Sequence, residues 1–232
     1  MLSILFIAFI SLILLQISGL ASSPNSDLQQ MLYSATETFR AHWLIITLAA
    51  DKLAIFAFSI ATLAYLKVQR IELRPFVGLL LFTAATQLSN TTLKLIFAIE
   101  RPATGFMMSS PSFPSGHTSL GSAFFLMFAV WLTRGYACTT RRIAITAAAC
   151  LGVLVAISRV ALGVHWPLDV LAALAEGAMF AYLYAYWLGK QSPTVLKRKK
   201  TATILLGVIA VSSIYCWLAF GQANLLYLNS PS

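Results

Sequence analysis

The stretch Ile143–Val164, IAITAAACLGVLVAISRVALGV, decides how the rest of the chain is read. It runs for 22 residues with Arg159 as its single charged side chain. About 20 mostly apolar residues, wound as a helix, match the roughly 30 Å hydrocarbon core of a bilayer. The stretch does not alternate apolar and polar residues as a half-buried strand does, so it reads as a membrane-spanning helix.

Working outward, six more blocks of this kind appear: Leu2–Leu20, Trp43–Leu66, Phe76–Phe97, Thr118–Thr133, Leu168–Leu188 and Ala202–Phe220. The 232 residues are 59% hydrophobic and only 10% charged, against roughly 25% charged in a soluble domain. So few charges cannot coat a water-soluble surface. The expected fold class is all-α, a polytopic membrane helical bundle of six to seven transmembrane helices.

A net charge of +9 suggests nucleic acid in a soluble protein, but here the charges follow the blocks. Lys67, Arg70 and Arg74 lie in one connection, Arg134, Arg141 and Arg142 in a second, and Lys190, Lys197, Arg198, Lys199 and Lys200 in a third. If every block spans, these eleven of the 16 basic residues share one side, which the positive-inside rule makes the cytoplasm. The charge is therefore a topology signal, and no nucleic-acid partner is expected. Trp43, Trp131, Trp166, Trp187 and Trp217 each fall near a block end, where amphipathic rings prefer the interface. Cys138, Cys150 and Cys216 are far apart and outline neither a disulfide framework nor a zinc site.

The expected organisation has four parts. Residues 1–22 form an N-terminal signal anchor or first span, the alternative being a cleaved leader with Gly19-Leu20-Ala21 as a small-residue cleavage pattern. Residues 23–42 form an amphipathic segment on the outer face, with Leu28, Met31, Leu32, Ala35 and Phe39 at helical spacing. Residues 43–190 form the core, and 191–232 a basic cytoplasmic loop, the last span and a short tail.

The remaining polar residues concentrate in Lys94–Pro102 (KLIFAIERP), Pro114–His117 (PSGH) and Ser158–Asp169 (SRVALGVHWPLD). The first closes the third block, the second opens the fourth, and the third joins the fifth to the sixth. All three then meet at the face opposite the basic connections. Lys94, Arg101 and Arg159 bring cations to membrane depth, where a charge is costly unless paired. Glu100 and Asp169 are the only carboxylates in these segments, which leaves room for a bound oxyanion; arginine forks suit a phosphate. Ser115, Gly116 and His117 precede an apolar helix, whose N-terminal N–H groups attract anions. His165 and Asp169 are four apart, with Pro167 suited to the first helical turn. A carboxylate there can hold one imidazole nitrogen protonated and leave the other free to attack phosphorus. His117 can act as general acid to the departing oxygen. No carboxylate cluster suits magnesium, so neither metal nor cofactor is expected.

These segments resemble the type-2 phosphatidic acid phosphatase family, within the superfamily that includes vanadium haloperoxidases. Its motifs are K-x6-R-P, P-S-G-H and S-R-x5-H-x3-D. Every specified position is met: Lys94, Arg101 and Pro102; Pro114 to His117; Ser158, Arg159, His165 and Asp169. The resemblance implies that His165 forms a phosphohistidine, that Asp169 orients it, and that His117 serves the leaving group. It also implies that Lys94, Arg101, Ser115, Gly116 and Arg159 bind phosphate. The expected activity is metal-independent hydrolysis of a phosphomonoester or diphosphate of a membrane lipid at the extracytoplasmic face of a cell membrane. Undecaprenyl diphosphate, phosphatidylglycerophosphate and phosphatidic acid lead as substrates, with lipid A phosphate as an alternative. A lipid phosphotransferase would use the same residues. A haloperoxidase fits a membrane protein poorly, and a non-catalytic lipid-phosphate binder has no need of the His165–Asp169 pair. The sequence leaves the oligomeric state open. Outside the motifs, His42 reads as structural; Asp51 and Lys52, adjacent and so facing different directions, read as inter-helix hydrogen-bonding groups, the alternative being that either touches the pocket, and Gln87, Asn90 and Thr91 read as serving helix packing.

Overall fold

The computed structural model describes residues 1–103, 110–192 and 195–228. The helices are α1 (Leu2–Ser18), α2 (Ser22–Ala35), α3 (Arg40–Leu48), α4 (Lys52–Val68), α5 (Arg74–Phe97), α6 (Gly116–Leu132), α7 (Cys138–Ala161), α8 (Pro167–Gly189) and α9 (Arg198–Leu228), with a 3-10 turn at Glu37–Phe39. No strand occurs among the described residues, and the molecule is an all-α membrane bundle. Each apolar block is helical over most of its length. The tail expected after Phe220 continues as helix to Leu228, and residues 229–232 lie outside those described.

Length and composition qualify Glu37–Val68, Cys138–Ala161, Pro167–Gly189 and Arg198–Leu225 as membrane spans, with α1 and α2 together as a fifth, bent by 98°. The sequence-based count of six to seven is higher. The difference lies in α6, which is 17 residues long, and in α5, whose outer half carries Gln87, Asn90, Thr91 and Thr92. Both helices border the site and spend apolar length on polar side chains.

α6 is the central rod. Twelve of its residues, from Thr118 to Leu132, are buried, and it packs on α5, α7 and α8. Contact with α8 is close at Gly177, where a Cβ would stand 2.9 Å from the backbone nitrogen of Ala123 and 3.0 Å from the carbonyl of Ser119. Any larger residue there would push the helices apart. Around this rod Phe58, Phe76, Phe124, Phe128, Trp131 and Tyr184 build an aromatic core at one end of the bundle. The outward faces carry Leu81, Leu88, Leu95, Leu151 and Trp217, all exposed, an apolar exterior suited to lipid.

Three contacts gather the basic connections at that aromatic end. Arg134 donates to the carbonyl of Gln191, the Tyr136 hydroxyl donates to Thr201 Oγ1 at 2.9 Å, and the Tyr184 hydroxyl donates to the carbonyl of Pro75 at 3.0 Å. The three motif segments lie at the other end. There α2 crosses the ends of α7 and α8: Leu32 packs on Val160 and Val170, and Asn25 Oδ1 accepts from the backbone N–H of Leu168 at 3.0 Å.

The second apolar block is not one continuous helix. The chain breaks at Ala49–Asp51, and Asp51 becomes the N-cap of α4, its Oδ1 accepting from the Leu53 N–H at 2.8 Å. An aspartate prefers that capping position to a helix interior, and the break moves Asp51 to the motif end of the bundle.

Candidate functional site

Four local structures bring the motif residues together. Lys94 lies in the last turn of α5. Beyond it, Ala98 adopts a left-handed conformation at φ 46°, at a cost of about 1–2 kcal/mol for a residue with a Cβ, and turns the chain back so that Arg101 faces the bundle axis. Gly116 opens α6. Leu162 ends α7, Gly163 takes a left-handed φ of 72°, and Pro167 starts α8, so His165 sits in a tight connection over the helix ends.

A cavity of about 380 Å³ lies between these segments, lined among others by Lys94, Arg101, Gly116, His117, Arg159 and His165. Since each water in the liquid occupies about 30 Å³, it has room for a phosphate and its ester oxygen. Ser115 and Asp169 are fully buried behind its wall. The Ser115 N–H donates to the carbonyl of Asp169 at 3.1 Å, and the Ser115 hydroxyl accepts from Thr118 at 3.0 Å. Ser115 therefore joins the α6 start to α8, while Gly116 meets the cavity. A Cβ at Gly116 would find Asn90 Oδ1 at 3.4 Å and Lys94 Cε at 3.9 Å, ordinary contacts, so what the missing side chain frees is cavity space.

His165 is 2% exposed and its ring is held at both nitrogens. Nδ1 stands 3.1 Å from Asp169 Oδ2, and Nε2 stands 3.2 Å from Arg101 Nη1. Arginine has only donors and a carboxylate only acceptors. The proton therefore sits on Nδ1, and the lone pair of Nε2 faces the cavity side. Asp169 Oδ2 also accepts from the Trp166 N–H at 2.9 Å and from the Ser112 hydroxyl, which fixes the carboxylate. Burial, together with the positive charges of Arg159, Arg101 and Lys94, holds the His165 imidazolium well below its ordinary pKa.

The cations are fixed by carbonyl groups. Lys94 Nζ donates to Pro111 and Ser112 at 2.6 and 3.0 Å. Arg101 donates through Nη1 to Val164 at 2.7 Å and through Nε to Ser110 at 2.9 Å. Arg159 is 1% exposed and donates through Nη1 to the Thr47 hydroxyl on α3 at 2.9 Å. The carbonyl and hydroxyl acceptors named here carry no formal charge, and a cluster of positive side chains around a cavity favours an anion.

Sequence reasoning gave Asp51, Lys52, Gln87, Asn90 and Thr91 mainly to helix packing and did not single out Ser112 or Glu176. Asp51 Oδ2 lies 3.4 Å from His117 Nε2, and Lys52, Gln87 and Thr91 line the cavity. Ser112 completes the His165–Asp169 cluster. Fully buried Glu176 accepts from Ser119 at 2.7 Å and from Asn90 at 3.3 Å, and Asn90 also donates to the Pro114 carbonyl at 3.4 Å. These bonds seat the 114–116 turn on α5 and α8. His42 is exposed and stacks loosely on Phe39.

The geometry has its counterpart among known proteins, since residues 51–193 match the model of the PAP2 superfamily. The chain belongs to that superfamily. Part of it is similar to lipid A 1-phosphatase of Rhizobium johnstonii, 42% identical over 74 residues that cover 32% of this chain and 27% of that protein. The same protein of Rhizobium etli is 40% identical over 74 residues, 32% of this chain and 28% of that protein. The matched stretch thus spans little more than a quarter of these curated relatives. Two solved structures share the PAP2 fold. The first transmembrane PAP2 type phosphatidylglycerolphosphate phosphatase from Bacillus subtilis superposes with a TM-score of 0.71 at 23% identity, covering 82% of this chain and 97% of that one. Aquifex aeolicus LpxE superposes with a TM-score of 0.50 at 21% identity, covering 68% and 92%.

Proposed function

We propose that the chain is a membrane-embedded phosphatase that cleaves a phosphomonoester or diphosphate of a membrane lipid through a phosphohistidine on His165. The observation that carries this reading is the His165 ring, with Nδ1 on Asp169 and Nε2 turned to a cavity that Lys94, Arg101, Arg159 and His117 also line. Lys94, Arg101, Arg159 and the N–H groups at Gly116 bind the phosphoryl oxygens. The Nε2 lone pair attacks phosphorus and the bond to the leaving oxygen breaks, its electron pair going to that oxygen. His117 supplies the proton. Water then attacks the phosphohistidine, gives its proton to His117, and releases inorganic phosphate as the P–N bond breaks. Asp169 stabilises the imidazole throughout, as the acid of a nucleophile–orienter pair does. Ser115 acts from behind the wall by holding the α6 start.

Among the described residues no group of three His, Cys, Asp or Glu converges to hold a metal, and the charge stabilisation in this reading comes from the basic side chains. The site lies at the end opposite the basic connections, which supports an extracytoplasmic active site in a cell membrane. A glycerophospholipid phosphate, the class named for the phosphatidylglycerolphosphate phosphatase of matching fold, is the first reading, with a polyprenyl diphosphate beside it. Lipid A 1-phosphate is the second reading, favoured by the 42% identity to the Rhizobium enzyme. Purified protein in detergent, given undecaprenyl diphosphate, phosphatidylglycerophosphate, phosphatidic acid and lipid A 1-phosphate separately, should release phosphate from at least one. Release from none sinks the proposal.

A further inference from the structure

The cavity is lined by a second histidine–carboxylate pair, besides His165 and the Asp169 behind its wall. His117 Nε2 stands 3.4 Å from Asp51 Oδ2, as His165 Nδ1 stands 3.1 Å from Asp169 Oδ2. Asp51 does not stand free. Its Oδ1 accepts from the Leu53 N–H at 2.8 Å and from the Tyr215 hydroxyl on α9 at 2.7 Å. One oxygen is thus engaged in fixing the carboxylate, and the other is turned to the histidine. Tyr215 belongs to a packed joint between α3 and α9 in which Leu44, Leu48 and Ala223 are buried. α9 lies beyond residues 51–193, where the superfamily match ends.

We infer that Asp51 is the positioning residue of His117, and that Tyr215 holds Asp51 in place for it. The inference rests on the phosphatase reading. With Nε2–H donated to Asp51, the other ring nitrogen, Nδ1, is the one that carries the transferable proton. As the P–O bond breaks, that proton moves from Nδ1 to the leaving oxygen, and His117 remains neutral with Nε2–H on Asp51. When water attacks the phosphohistidine, its proton returns to Nδ1. The carboxylate stabilises the imidazolium before the transfer and keeps the ring from rotating, as the orienting acid of a triad does. A separation of 3.4 Å is long for a formed bond, and pairs of this kind tighten when substrate fills the site.

Capping α4 is a role that an uncharged acceptor also fills, so the two roles separate by substitution. Asp51→Asn keeps an oxygen for Leu53 and Tyr215 and removes the charge facing His117. Turnover is measured on phosphatidic acid, which leaves as an alkoxide, and on nitrophenyl phosphate, whose leaving group needs little protonation. The loss for Asp51→Asn on phosphatidic acid should exceed its loss on nitrophenyl phosphate by tenfold or more. Tyr215→Phe should show the same asymmetry to a smaller degree. Asp51→Asn combined with His117→Ala should be no slower than His117→Ala alone. Equal losses on the two substrates, or losses that multiply in the double variant, overturn the pairing while wild-type turnover leaves the phosphatase reading standing. A wild-type protein that hydrolyses neither ester and none of the other three lipid phosphates overturns both.

Discussion

Arg101 donates from Nη1 to the Nε2 of His165 at 3.2 Å, so a guanidinium occupies the direction from which the imidazole would attack. The same nitrogen also donates to the Val164 carbonyl at 2.7 Å. A phosphoryl group entering the cavity offers Arg101 an anionic acceptor in place of a neutral nitrogen, and a charge-assisted bond is the stronger one. In the proposed mechanism the contact orients the Nε2 lone pair and yields to the substrate phosphate.

Orthovanadate, a mimic of the pentacoordinate transition state, should therefore inhibit, and Arg101→Lys should weaken that inhibition. A lysine keeps the charge but loses the fork. The loss of one charge-assisted bond, about 1.5–3 kcal/mol, corresponds to roughly ten- to hundredfold in vanadate affinity. Vanadate titration of wild type and variant measures it. Equal affinities would mean that Arg101 serves only to hold Ser110 and Val164.

The environment of His165 sets the direction of the pH dependence. His165 lies in the connection between α7 and α8, buried and near Arg159, Arg101, Lys94 and His117, with Asp169 as its acceptor. Burial and the cations disfavour the imidazolium, so its pKa is lowered well below the ordinary 6.5. The reactive neutral form then persists as pH falls through 6.5. The acid limb of kcat/KM, which reports the free enzyme, should lie below that value, and Arg159→Gln should move it upward. A wild-type limb above 6.5 would contradict this account.

The helices were legible because membrane spans advertise themselves by length and apolarity. The three motifs were legible because each has fixed spacing, and the structure does gather Lys94, Arg101, Gly116, His117, Arg159 and His165 around one cavity. Asp51 was weighed toward helix packing because it sits inside a run from Trp43 to Leu66 that reads as one span, and only the break before α4 turns it toward His117. Ser112 has no spacing signal, being one serine among several between Ser109 and Ser115. Glu176 did leave a trace: it follows Asp169 by seven residues, two helical turns on the same face, and an acid within a span is costly unless it is partnered.

Phosphate release should continue in excess EDTA. The residues around the cavity offer cations and imidazoles, and hard divalent ions need several oxygen ligands. Dialysis against chelator followed by assay with and without added magnesium measures the dependence. Activity lost on chelation and restored by magnesium would require a different mechanism.

Single cysteines at Ser23 on α2 and at Lys199 on α9 should label from opposite sides of the membrane. The basic connections lie at one end of the bundle and α2 at the other, and basic loops are retained in the cytoplasm. In a background lacking the native cysteines, an impermeant maleimide applied to intact cells should modify position 23 and spare position 199. The reverse pattern would place the site in the cytoplasm.

The two histidines should fail in different ways when removed. In the proposed mechanism His165→Ala removes the nucleophile, so turnover and any acid-labile phosphoenzyme should both vanish. His117→Ala would there remove the proton donor, worth roughly 10²–10⁴-fold, and the deficit should shrink as the leaving group improves. It should be largest for a lipid monoester leaving as an alkoxide, smaller for a diphosphate leaving as a lipid monophosphate, and smallest for nitrophenyl phosphate. Asp169→Asn should lower the rate by misorienting the imidazole, because Asp169 Oδ2 is the acceptor that keeps the proton on Nδ1. Its seat against Trp166 can be filled by an amide oxygen, so the protein should still insert and fold. The measurement is rapid mixing with radiolabelled substrate, an alkaline quench, and counting of protein-bound label in each variant. Label retained in His165→Ala but lost in His117→Ala would reverse the assignment of nucleophile and acid.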